Sequence, residues 1–84
     1  MNFIANINIM LLEQVLDVQG QSVQNILQKL DIHSVSNVRI GKHIVMHVIA
    51  NTKSEATEQV KEACEKLLHN PVMETYSFTI ENEE

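Results

Sequence analysis

The chain has no tryptophan, one tyrosine and two phenylalanines, so it offers no stacking platforms for single-stranded nucleic acid. It has one cysteine, Cys64, which excludes an internal disulfide and fits a reduced, cytoplasmic protein. Six Lys and Arg stand against eleven Asp and Glu, and the net charge of −5 excludes an ordinary nucleic-acid binder. No apolar run approaches the length of a membrane span, and no charged segment precedes an apolar one at the N-terminus, so no membrane association is expected. The 84 residues make a single domain, residues 1–84. A chain this short buries only about 60–65% of its unfolded surface. With disulfides excluded, oligomerisation is the expected support, as a homodimer or homotetramer.

The segment from Val15 to Leu30 organises the rest. Val23, Ile26, Leu27 and Leu30 recur at i, i+3, i+4 and i+7, one face of a helix from about Val18 to Leu30. Asp17 is placed to cap it, since a carboxylate there accepts a free backbone N–H at the positive helix end. Gly20 falls in the first turn, where the lack of a Cβ lets another backbone come close. Before this helix, Phe3 to Leu11 alternates as a half-buried strand, with Phe3, Ala5, Ile7, Ile9 and Leu11 on one side. After it, Val35 to Lys42 reads as a second strand with Val38 and Ile40 inward, and Gly41-Lys42 as a tight connection. His43 to Ala50 reads as a third, with Val45, His47 and Ile49 on an open, partly apolar face.

Thr52-Lys53-Ser54-Glu55 has the form of a capping box and opens a helix to about His69. Ala56, Val60, Ala63, Cys64, Leu67 and Leu68 line its apolar side. Asn70-Pro71 ends it. Met73 to Ile80 is the last strand, followed by a frayed acidic tail. The order β-α-β-β-α-β predicts an α+β two-layer sandwich, with both helices packed on one face of a four-stranded, mainly antiparallel sheet.

No catalytic, cofactor-binding or metal-ligating set emerges. His43 and His47 share a strand face but stand about 13 Å apart, too far to share an ion. Cys64 lies on an apolar helix face, where a thiol is inert. Val18-Gln19-Gly20 resembles the phosphate loop of acylphosphatases, but Gln24 stands where that family's arginine would be. The element order also resembles that of ACT domains, and a small-molecule-sensing module of that kind is the alternative reading. The interface candidates are Arg39 and Lys42, as cations directed away from the core, and Val45 and Ile49, as apolar residues on the open face.

Three stretches resemble the PurS family, the small subunit of bacterial and archaeal phosphoribosylformylglycinamidine synthase. Val15-Leu16-Asp17-Val18-Gln19-Gly20-Gln21 is similar to its V-L-D-P-Q-G segment. Val38-Arg39-Ile40-Gly41-Lys42 is similar to V-R-x-G-K. Cys64 to Glu74 is similar to C-x-K-L-L-x-N-P-V-I-E. Val18 replaces the usual Pro, and Asp31 the usual Gly after the first helix. The resemblance implies an accessory subunit in purine biosynthesis, without activity or cofactor of its own. It would bridge a glutaminase subunit (PurQ) and an ATP-dependent synthetase subunit (PurL), and so support ammonia transfer.

Overall fold

The strand Asn2–Leu11 (β1) is the spine of the molecule, and its alternation sets the core. Phe3, Ala5, Ile7 and Ile9 are buried on one side, while Ile4, Asn6, Asn8 and Met10 face the other. The computed structural model describes residues 1–83. Within it, β1 is followed by a helix Val18–Lys29 (α1), a strand Gly41–Ile49 (β2), a helix Lys53–Ala63 (α2) continued by a π-helical turn Cys64–Leu68, and a strand Glu74–Asn82 (β3).

Both flanking strands pair antiparallel with β1, giving the order β2-β1-β3. The register places Val48, Met46, Ile44 and Lys42 beside Phe3, Ala5, Ile7 and Ile9. Ile80, Phe78 and Tyr76 flank the same row from the other side. α2 lies over β1 and β3 and closes this face with Ala56, Val60 and Cys64, spaced at i, i+4 and i+8. Each of Phe3, Ile7, Ile9 and Val60 is nearly inaccessible, so each contributes about 1.5–3 kcal/mol of burial. Thr52 caps α2 by accepting the Glu55 N–H at 3.1 Å, the side-chain half of the expected box.

The four-stranded β-α-β-β-α-β layout is therefore corrected to a three-stranded sheet. The segment 35–40 is extended only in part and joins no ladder. Asn37 takes a left-handed φ of 55°, which breaks an extended run. The Val38 and Ile40 N–H groups, which a ladder would need, donate instead to Gln24 Oε1 at 3.2 Å and Asp17 Oδ2 at 2.7 Å. Gly41 and Lys42 are not a turn but the first residues of β2. At the C-terminus, β3 reaches Asn82 and the Glu83 N–H donates to the Asn2 carbonyl at 2.9 Å, so the expected fraying does not begin at Ile80. Glu84, the end of the expected frayed tail, lies outside the described residues.

The second correction concerns α1. It was expected beside α2 on the sheet, yet Gly20 is its one buried residue. Val23, Ile26 and Leu30 on its apolar stripe are 39%, 57% and 63% exposed. The helix stands off the sheet as an arm, and the molecule measures 51 × 30 × 14 Å.

Candidate functional site: the root of the α1 arm and the open sheet face

The arm is held at its root by side chains rather than by a ladder. Asp17 Oδ1 accepts the Gly20 N–H at 2.8 Å, while Oδ2 accepts that of Ile40. One carboxylate thus caps α1 and ties it to the segment entering β2. These two backbone donors, Gly20 first and Ile40 second, hold the Asp17 carboxyl below its ordinary range. A Cβ on Gly20 would strike the Val38 carbonyl oxygen and the Asp17 carboxylate, so only glycine lets this backbone pass. Two of the stretches singled out in the sequence, one around Asp17 and one around Arg39, are therefore the two halves of one joint.

Arg39 completes the joint. Its guanidinium donates to the carbonyls of Leu12 at 2.9 Å, Leu11 at 3.3 Å and Val15 at 3.4 Å. It ties the end of β1 and the following turn to the segment 37–40, with its own surface still open to solvent. A shallow polar cleft of about 440 Å³ opens beside it, lined by Glu13, Gln14, Gln21, Gln24, Asn25 and Asn37 among others.

Lys42 projects on the helix-side face of β2, in the row of Ile44 and Met46, rather than away from it. Its Nζ lies 3.5 Å from Glu74 Oε2. Glu74 also accepts the Asn70 N–H at 2.7 Å, and that bond is the first cause of its lowered carboxyl pKa. Lys42 is thereby linked to the helix stop at Asn70-Pro71.

Val45 and Ile49 lie on the opposite, open face, 53% and 79% exposed. His47 and His43 alternate with them. His47 Nδ1 is 3.0 Å from the Glu83 carboxylate, and His43 Nδ1 is 2.7 Å from Asn8 Oδ1. The four interface candidates do not gather into one patch. Arg39 and Lys42 serve the joint and the helix-side face; Val45 and Ile49 form a separate surface. Sequence reading missed Gln24 and Glu74 as holding residues. Gln24 reaches a partner fourteen residues away, and Glu74 pairs both with the Asn70 N–H four residues before it and with the distant Lys42, so only the Asn70 contact had a local signal.

Comparison with known proteins places this geometry. A family described as PurS: Phosphoribosylformylglycinamidine (FGAM) synthase matches residues 4–82. The chain is 42% identical over 69 residues to the phosphoribosylformylglycinamidine synthase subunit PurS of Bacillus subtilis, covering 82% of this chain and 81% of that one. Among solved structures it is similar to the PurS subunit of Thermotoga maritima, with a TM-score of 0.89, 35% identity, and 95% and 92% of the two chains covered. A chain in the structure of PurLQS from the same organism matches with a TM-score of 0.89 at 35% identity, covering 95% of this chain and 98% of that one.

Proposed function

We propose that this chain, which belongs to the PurS family, acts as the bridging subunit of its enzyme. Membership makes it a subunit of phosphoribosylformylglycinamidine synthase, in purine biosynthesis. The observation that carries the bridging role is the match, over nearly the whole chain, to a chain in the PurLQS structure. The partners that reading gives this chain are a glutaminase subunit (PurQ), which frees ammonia from glutamine, and a synthetase subunit (PurL), which uses ATP to aminate the formylglycinamide ribonucleotide. An assembled complex keeps ammonia from escaping or being protonated in water between two sites. The subunit works in the cytoplasm, as a homodimer or homotetramer, and supplies no catalytic group.

The exposed Val45 and Ile49, with His47 between them, form the contact surface this reading favours on the open face, since exposed apolar side chains on one sheet face mark interaction sites. Arg39 and Lys42 are proposed as charged contacts beside the arm's root. The test is reconstitution of glutamine-dependent amidine formation from the three purified subunits. Omitting this chain should abolish glutamine-dependent turnover while ammonia-dependent turnover by the synthetase suffers less. Val45→Lys with Ile49→Lys should reproduce much of that loss without lowering the melting temperature. Full glutamine-dependent turnover without this chain would refute the bridging role.

A further inference from the structure

We propose that the turn after α2, residues 67–73, is a preformed apolar knuckle that docks into an apolar, basic-rimmed pocket on one of the two larger subunits. The inference deepens the bridging reading above and rests on it. It starts from a mismatch between the pattern of α2 and its end. Ala56, Val60 and Cys64 face the sheet. An α-helical continuation would set Leu67, at i+7 from Val60 and i+3 from Cys64, in the same row. Instead the helix ends in the π turn, closed by the His69 N–H on the Cys64 carbonyl at 3.2 Å. The extra residue in that turn gives the inward place to Leu68 and turns Leu67 out, to 81% exposure. Leu67 is the most exposed large hydrophobic side chain among the described residues, and Val72 is 78% exposed. His69 holds this form: its Nδ1 lies 2.6 Å from the same Cys64 carbonyl, which can only accept, and its ring packs on Tyr76 at 4.7 Å between centroids.

The backbone of the knuckle is ready to leave water. Pro71 has no N–H to satisfy. The Val72 N–H donates to Asn70 Oδ1 at 3.0 Å, and the Asn70 N–H to Glu74 Oε1 at 2.7 Å. The Met73 and Glu74 N–H groups both donate to the Asn70 carbonyl, at 3.1 and 2.7 Å, and the Met73 carbonyl accepts the Leu12 N–H at 2.8 Å. Every N–H from His69 to Glu74 is thus used inside the chain, so a pocket can close over Leu67 and Val72 without stranding a donor. A turn fixed in advance also loses little entropy on docking. Its flank sets the charge of the host. Glu62 is paired with Lys66 and Glu74 with Lys42, which leaves Glu65 as the carboxylate of this segment without a cation among the described residues. The chain carries −5, so a second copy is repelled there and a pocket with a basic rim is favoured. Position agrees with a bridge, which needs two contact surfaces. Ile49 pairs with Asn2 while the knuckle bonds Leu12, so roughly 30 Å of strand separates the open-face contact from the knuckle.

Binding of the full chain to the two larger subunits, immobilised separately and together, tests this. Leu67→Ser with Val72→Ser should keep the wild-type melt and the wild-type mass in light scattering, yet lose at least about tenfold in affinity for one large subunit. Wild-type binding to that subunit should weaken as salt is raised, as attraction between Glu65 and a basic rim requires. If the double variant melts early, Leu67→Gln alone, at the 81% exposed position, carries the same comparison. Wild-type affinity retained by these variants on both large subunits would overturn the knuckle and leave the bridging reading standing. A wild type that binds neither subunit, alone or together, would overturn both. A variant whose own mass falls would make the knuckle a contact between copies and refute the docking. Binding indifferent to salt would refute the basic-rimmed host.

Discussion

At the scale of single residues, the joint depends on what Gly20 lacks and on what Asp17 carries. Gly20→Ala adds one methyl group where the Val38 carbonyl and the Asp17 carboxylate already stand. In a helix Ala is ordinarily the better residue, by roughly 0.5–1 kcal/mol. Here overpacking reverses that sign, at a typical cost of about 1–3 kcal/mol. Chemical denaturation should therefore show the alanine variant to be the less stable, and a more stable variant would mean the arm does not lie against residues 38–40. Asp17 adds a pH dependence. Its folded pKa is lowered from the ordinary 3.8 by the Gly20 and Ile40 N–H groups, so its contribution is fully present above that value. It is lost as pH falls through the folded pKa, since the unfolded chain then binds the proton more readily. The stability difference between wild type and Asp17→Asn should be constant near neutrality and shrink below about pH 4. A difference that grew on acidification would contradict this hydrogen-bonding scheme.

Among the elements, all five that the structure builds from long periodic runs could be read from the sequence: β1, α1, β2, α2 and β3 announce themselves by their spacing, and the one strand read in error is the extra one placed before β2. The failure is instructive because it is confined to the segment 35–40. Val35, Val38 and Ile40 alternate well enough for a strand, but periodicity reports only which side is apolar, not what satisfies the backbone. The Asp17 and Gln24 side chains take the N–H groups that a ladder would have used. The position of α1 was hidden for the same reason: its stripe says that it must be covered, not that its own sheet covers it. At the end of α1, where Asp31 stands in place of the family's usual Gly, the turn still closes as a glycine-type cap would. Asp31 sits at φ 64° beyond the last turn, with its N–H donating to Gln28 O and the Ile32 N–H to Leu27 O, a Schellman closure. An aspartate stands where glycine would be unstrained, so Asp31→Gly should raise stability by about 1 kcal/mol. A denaturation midpoint that falls instead would show that the aspartate makes an interaction outweighing its backbone strain.

For the molecule as a whole, the elongation and the exposed arm make association a stability question. A single copy leaves Val23, Ile26, Leu30, Val45 and Ile49 in water. These five aliphatic side chains equal in number the large fully buried side chains of the core, Phe3, Ile7, Ile9, Val60 and Cys64. A chain so divided gains when a second copy covers what the first cannot. Binding to the folded state alone then raises the apparent stability with protein concentration. A monomeric chain, by contrast, melts at one temperature however concentrated it is. The melting temperature of this protein should therefore rise steadily over a hundredfold range of concentration. Ile26→Asp with Leu30→Asp should flatten that dependence by making the arm's apolar stripe polar, while leaving the melt of the dilute protein nearly unchanged, because these side chains are largely exposed in the single copy. A wild-type melting temperature independent of concentration would show that the arm adds nothing to folding between copies. A flat response in wild type together with a higher melting temperature when the synthetase subunit is added would assign the covering of the arm to that larger partner.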